Sequence, residues 1–213
     1  MKKVELIIFD LDGTLVDSKE AIARQVNLAL KEVGLKEKEA PEIISYIGTG
    51  VDDLVRKSLG DEHQHLFEQA KDVLENYRRD FEDDSQLYPG VKELLEYFKT
   101  KSKAIISNRK YEFVLPMLER LEIGDYFERV IGGDNEDCLK PAPCSLDKMI
   151  SEAQVDKGKV IMVGDMDLDV LAGKNAGVLT CAVTYGLGKR EDIIRAQPDY
   201  MIGNMLQLKD IIE

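Results

Sequence analysis

No apolar run in this chain approaches the length of a membrane span; the longest are a few residues. Lys2 and Lys3 resemble the basic start of an export signal. Glu5, Asp10 and Asp12 leave no apolar stretch behind them, so no signal peptide is expected and a cytoplasmic location is. Basic clusters are also lacking. The 213 residues carry a net charge of −12, and no Lys/Arg group is dense enough to make a nucleic-acid face. Neither nucleic acid nor membrane is therefore expected as a partner. The acidity does require an anionic substrate to find local cations. Cysteine is scarce. Cys138, Cys144 and Cys181 form neither a CxxC pair nor a disulfide framework, and free thiols are expected. No His/Cys cluster offers a transition-metal site. His63 and His65 lie in a polar helix start with no Cys or acid triad to frame them, which predicts solvated side chains. No Ser/Gly-rich linker, internal repeat or low-complexity tract is present.

Hydrophobic residues make up 44% of the chain and charged residues 33%, the balance of a soluble globular protein. The length suits one domain, or a larger domain carrying a smaller one. From Tyr88 onward, apolar runs alternate with amphipathic segments. Lys103–Ser107, Lys159–Asp165 and Leu179–Thr184 read as buried strands, and so does Val4–Phe9 near the start. The segments VKELLEYFK, FVLPMLERL, CSLDKMISEA and LDVLAGKNAG lie between them and read as helices. This alternation predicts an α/β fold with a parallel sheet and helices on both faces. Residues 19–86 break the pattern. Ile22, Val26, Leu30 and Val33 recur at helical spacing, as do Leu66, Ala70, Val73, Leu74, Tyr77 and Phe81. An all-helical insert, residues 17–87, is expected inside a core of residues 1–16 and 88–213. Candidate hinges lie near Asp17-Ser18 and Asp84-Ser85.

Four motifs fall at or just beyond strand ends. In FDLDGTLVDS, Asp10 leaves the first strand and Asp12 follows two residues later on the same side. Gly13 lets the chain turn sharply. One such aspartate can attack phosphorus, and a second carboxylate can protonate the leaving oxygen and later deprotonate water. A solvated Asp-rich turn would carry the same residues. In ISNR, Ser107 and Asn108 follow a buried strand, where a hydroxyl and backbone N–H groups can hold phosphate oxygens; both are also ordinary loop residues. Arg109 is either a further phosphate contact or a surface charge. In LKPAP, Pro141 biases Lys140 toward extended backbone, and its ammonium could bridge a carboxylate and a phosphoryl group. Alternatively, Lys140 is a surface lysine answering Asp134, Glu136 and Asp137. In VGDMDLD, Asp165, Asp167 and Asp169 suit either a helix start near Met166 or an oxygen-only site for a hard cation such as magnesium.

Taken together, FDLDGTLVDS, ISN, LKPAP and VGDMDLD resemble the haloacid dehalogenase superfamily of phosphohydrolases, over essentially the whole chain. The resemblance implies a Rossmann-like core with a helical (C1-type) cap inserted after the first motif. It implies Asp10 as nucleophile and magnesium ligand. It also implies Asp12 as general acid/base, with its carbonyl on the metal. Ser107, the next amides and Lys140 would hold the phosphoryl group, Asp165 would complete the Mg2+ site, and Asp169 would act directly or through water. The dehalogenase branch lacks a second aspartate at position 12, so carbon–halogen cleavage is not expected.

Within the insert, YIGTGVDDLVRKSLG resembles the cap of phosphoglycolate phosphatases at Gly48, Thr49, Gly50 and Arg56. Gly50 and Arg56 then become candidate substrate contacts, Arg56 toward a carboxylate. The competing reading has Thr49 capping a helix that starts near Gly50, with Arg56 solvated. Two positions depart from that branch: Ser107 stands where Thr is frequent, and Cys144-Ser145 where another Pro is frequent. Thr14, counted with the phosphate site, stands where phosphomutase relatives often carry Val. The expected function is a magnesium-dependent phosphatase acting on a small phosphorylated metabolite, phosphoglycolate first, through an aspartyl-phosphate. A phosphomutase, a pyrophosphatase and a non-enzymatic binding protein are the alternatives. A monomer or homodimer is expected.

Overall fold

The computed structural model describes residues 1–81 and 85–213, the side chains of 79–81 excepted. Phe81's side chain and Asp84, named as a candidate hinge, therefore lie outside the described residues. The chain forms two compact units: Met1–Asp17 with Leu87–Glu213, and Ser18–Gln86.

The first unit is built on six parallel strands. β1 (Leu6–Phe9), β4 (Ser102–Ile106), β5 (Arg129–Ile131), β6 (Val160–Gly164), β7 (Leu179–Val183) and β8 (Tyr200–Ile202) lie in the order β5-β4-β1-β6-β7-β8. Leu6 pairs with Ser102 on one side and Val160 on the other, and the register continues to Phe9 with Ile105 and Val163. Alternation along β1 explains why its run is apolar throughout. Ile7 and Phe9 enter one core layer with Leu94, Leu95, Val114 and Met117, from α5 (Val91–Tyr97) and α6 (Tyr111–Arg120). Leu6 and Ile8 enter the opposite layer with Leu146, Met149 and Ala172, from α7 (Cys144–Ala153) and α8 (Asp167–Ala176). Both faces are covered, so neither face needs polar residues. A further helix, α9 (Arg190–Ala196), packs Ile193 against Val170 and Ala182.

Strand order reverses beside β1: the chain moves outward through β4 and β5, then crosses to β6 on the other side. In open α/β sheets, the crevice beyond the strand ends at this reversal is where ligands bind.

β5 and β8 were not legible in the sequence. Both are three-residue edge strands and neither is fully buried, so they leave no continuous apolar run. A two-stranded ribbon of β2 (Val16–Asp17) and β3 (Gln86–Leu87) is also new.

The second unit is helical: α1 (Lys19–Glu32), α2 (Ala40–Ile44), α3 (Val51–Leu59) and α4 (Phe67–Phe81). Ile22, Val26, Leu30, Leu54, Val55, Leu59, Ala70 and Leu74 form its core, as their helical spacing requires. Its α3 begins after Gly50, at φ 101°, not after a Thr49 cap. The Thr49 hydroxyl donates to the Asp53 carboxylate. Among the described residues, no helix is long and apolar enough to cross a membrane.

The free-thiol expectation is corrected for two of the three cysteines. Cys138 and Cys144 form a disulfide, because a short turn at Glu136–Cys138 and the start of α7 bring their Cα atoms to 5.5 Å. Cys181 is free and buried.

Ile161 lies at the centre of the sheet with 0% exposure. Ile161→Ala should destabilise the protein by about 2–5 kcal/mol through lost burial and a residual cavity. Urea unfolding should show a lower midpoint at an unchanged slope.

Candidate active site

The tips of β1, β4 and β6 each deliver one candidate residue. Asp10 extends β1, its N–H donating to the Val163 carbonyl at 2.9 Å. Ser107 extends β4, its N–H donating to Ile131 at 3.0 Å. Asp165 follows β6 directly. All three are buried.

Lys140 reaches the same place from the loop before α7. Its Nζ donates to Asp10 Oδ1 at 2.5 Å and to Asp169 Oδ1 at 2.6 Å. The surface-lysine alternative is thereby corrected: Lys140 is 5% exposed. Asn108 clamps the backbone of that lysine, accepting from its N–H at 2.8 Å and donating to its carbonyl at 3.1 Å. Asn108's side chain therefore positions Lys140.

Asp169 stands at the helix start that its motif predicted. α8 starts after Met166, and Asp169 Oδ2 accepts the Met166 N–H at 2.9 Å while Oδ1 faces Lys140. Thr14 is buried beneath the carboxylates, its hydroxyl 3.1 Å from Asp165 Oδ1 and 3.4 Å from Asp10 Oδ2. Arg109 is no surface charge. It is buried and pairs with Asp12 through Nε at 2.9 Å and Nη2 at 2.7 Å.

Gly50 and Arg56 belong to the helical unit. Arg56 is exposed, with its guanidinium 3.8 Å from the centre of the Phe67 ring and 3.4 Å from Gln64 Oε1. His63 and His65 lie in a turn of the same unit, His65 exposed and His63 half-buried.

The motifs missed one part of the site. The loop after β7, Tyr185-Gly186-Leu187-Gly188, wraps Asp165. The N–H groups of Leu187 and Gly188 donate to Asp165 Oδ2 at 2.6 and 3.3 Å. Tyr185's hydroxyl donates to the Thr14 carbonyl at 2.8 Å. Two glycines just past a buried strand are the signal that could have found it. A Cβ on Gly188 would lie 2.1 Å from the Asp165 carbonyl oxygen. Gly13 is equally confined: it has φ +87°, and a Cβ there would lie 2.3 Å from Asp165 Oδ2.

Asp10, Asp165 and Asp169 each present an oxygen within 4.8 Å of the others. Three buried carboxylates face one buried ammonium, an excess of two negative charges. Burial pushes the Asp10 carboxyl up to about 7, against the pull of Lys140. Burial also raises Asp165 well above the usual carboxylate range, with Asp10 adding to it. Lys140 is held above its ordinary value because Asp10 and Asp169 outweigh the effect of burial. An oxygen-only donor set with two uncompensated charges fits a hard dication.

Residues 7–183 match the haloacid dehalogenase-like hydrolase family. The chain belongs to that family. It is 33% identical to a phosphoglycolate phosphatase of Vibrio vulnificus (strain CMCP6), over 99% of this chain and 97% of the relative. It is 36% identical to a phosphoglycolate phosphatase of Pseudomonas fluorescens, over 95% of this chain and 78% of the relative. A crystal structure described as a predicted phosphoglycolate phosphatase, from Haemophilus somnus 129pt, superposes with a TM-score of 0.93 at 29% identity. That likeness covers 99% of each chain. The chain is thus an enzyme, a hydrolase similar to phosphoglycolate phosphatases.

Two outcomes are expected. Carboxyls raised by folding bind extra protons in the native state, so their contribution to stability falls as pH rises from about 4 to about 7. Without divalent cations, the melting temperature should fall across that window. Added magnesium should raise it more at pH 8 than at pH 5, by several degrees, since about 1 kcal/mol moves a chain of this size by roughly 2–4 °C. Gly13→Ala should remove activity, because its Cβ cannot share space with Asp165. Phosphate release measured beside a melting curve checks this.

Proposed function

We propose that this hydrolase is a magnesium-dependent phosphatase that cleaves a small phosphomonoester, phosphoglycolate being the leading substrate. The observation that carries the reading is the meeting of Asp10, Asp165, Asp169 and Lys140, from separate strand ends and loops, around one acidic pocket. Similarity over nearly the whole chain to phosphoglycolate phosphatases supports the substrate class.

In this proposal an Asp10 oxygen attacks phosphorus, and the bond from phosphorus to the leaving oxygen breaks. Asp12 gives that oxygen a proton, leaving an alcohol and an aspartyl-phosphate on Asp10. Asp12 then takes a proton from water, the resulting hydroxide attacks phosphorus, and phosphate departs from Asp10. Ser107, the Asn108 N–H and Lys140 hold the phosphoryl oxygens, and Thr14 fixes the carboxylates from below. Asp10, the Asp12 carbonyl and Asp165 would hold magnesium. Asp169, whose oxygens already accept from Lys140 and Met166, would support them from behind. When bound, the ion neutralises charge on the transferring group. The helical unit is assigned as the cap, with Gly50 and Arg56 as its substrate contacts. A cytoplasmic location suits a metabolite substrate. The Cys138–Cys144 disulfide is the feature that points the other way.

A panel of phosphoglycolate, pyrophosphate, hexose phosphates and nucleotides with magnesium tests the reading. Phosphate release should be fastest from phosphoglycolate, and Asp10→Asn should lose at least roughly a thousandfold in kcat. Sugar-phosphate isomers formed without free phosphate would replace hydrolysis with a mutase. Preference for pyrophosphate would reassign the substrate. Full turnover by Asp10→Asn would defeat the covalent mechanism.

A further inference from the structure

Phosphoryl transfer does not by itself require the arrangement at Arg109. Its Nε and Nη2 donate to the two oxygens of Asp12, at 2.9 and 2.7 Å. The arginine side chain is 1% exposed and that of Asp12 14%. Arg109 is also pinned at its backbone. Its N–H donates to Ser107 Oγ at 3.1 Å, and its carbonyl accepts from Gly133 at 2.7 Å. A rigid guanidinium fork matched to a carboxylate is thus held beside the phosphate-binding serine, with Asp12 on its more open side.

To hand a proton to a leaving group, Asp12 has to turn at least one oxygen from Arg109 toward it. Withdrawing Asp12 takes a fork-matched anion away from a buried guanidinium, and a second carboxylate in its place offsets that cost. We propose that a carboxylate on the substrate takes the place of Asp12 on the Arg109 fork, so that Arg109 selects phosphomonoesters of small hydroxy acids and frees Asp12 in the same exchange. One carboxylate replaces another, so the local charge is preserved. A substrate with no carboxylate has nothing to offer the fork, and its turnover bears the cost of the broken pair. Discrimination therefore enters kcat as well as KM. This inference rests on the phosphatase reading. It places the carboxylate contact in the core unit, where the sequence motif had suggested Arg56.

The test is steady-state kinetics of the full chain with magnesium, on phosphoglycolate and on 2-hydroxyethyl phosphate, which carries a hydroxymethyl in place of the carboxylate. The wild type should favour phosphoglycolate by at least roughly a hundredfold in kcat/KM; sites built to hydrogen-bond a substrate group reject analogues lacking it by about 10⁴–10⁵. Arg109→Met should bring the ratio to within a few-fold, chiefly by slowing phosphoglycolate. Arg109→Lys keeps the charge but loses the fork and should fall between; it carries the test if the methionine variant fails to fold. Arg56→Ala should raise KM for both substrates and keep the ratio. A wild-type ratio near one, an equal loss on both substrates in the Arg109 variants, or a ratio that collapses in Arg56→Ala alone would overturn the inference. Each of these leaves the phosphatase reading standing. Release of phosphate from neither substrate by the wild type would defeat both.

Discussion

The site depends on one buried ammonium shared between carboxylates. Lys140 Nζ sits within hydrogen-bonding distance of both Asp10 and Asp169, and all three groups are almost wholly out of water. Buried charges of one sign repel strongly, and a single lysine does not balance three acids. The remaining excess suits a hard dication, the chemistry on which the proposed function rests. Much of the surrounding geometry keeps this arrangement from collapsing. Asn108 holds the lysine backbone, Thr14 spans Asp165 and Asp10, and the loop after β7 gives Asp165 two backbone N–H groups.

The sheet makes this possible at low cost in chain. β1, β4 and β6 are adjacent and parallel, so their ends reach one edge together. Residues remote in sequence meet there without any long excursion of the backbone. The apolar runs before Asp10, Ser107 and Asp165 fix the strands by burial on both faces, and the polar residue ends each run where the sheet opens to the crevice. Fold and site are therefore two consequences of the same punctuation.

That punctuation is why so much was readable from the sequence. The four central strands, the helical insert and the acidic strand ends rest on patterns dense enough to stand alone, such as Val160-Ile161-Met162-Val163 followed by Gly164-Asp165. The edge strands were not readable, because three half-exposed residues carry no period. Arg109 was ambiguous for a different reason. An arginine just past a strand-ending serine has several destinations, and only the turn from Leu11 to Val16, which brings Asp12 to it, decides among them. The Cys138–Cys144 bond escaped because its six-residue separation matches no local rule; it is made by a turn meeting a helix start. The resting place of Asp12 and the wrapping of Asp165 by Leu187 and Gly188 likewise depend on segments that only the assembled fold brings together.

The neighbours β1 and β4 are consecutive core strands in space, yet the whole helical unit lies between them along the chain. Their first pairing must close a very long loop, whose entropic cost grows only slowly with length. Helices that condense by local contacts shorten that loop before the strands meet. During synthesis, Leu6-Ile7-Ile8-Phe9 then waits without either neighbour until Ser102–Ile106 has left the ribosome. For that interval the nascent chain carries a bare apolar strand with two open edges, the kind of segment on which chaperones act.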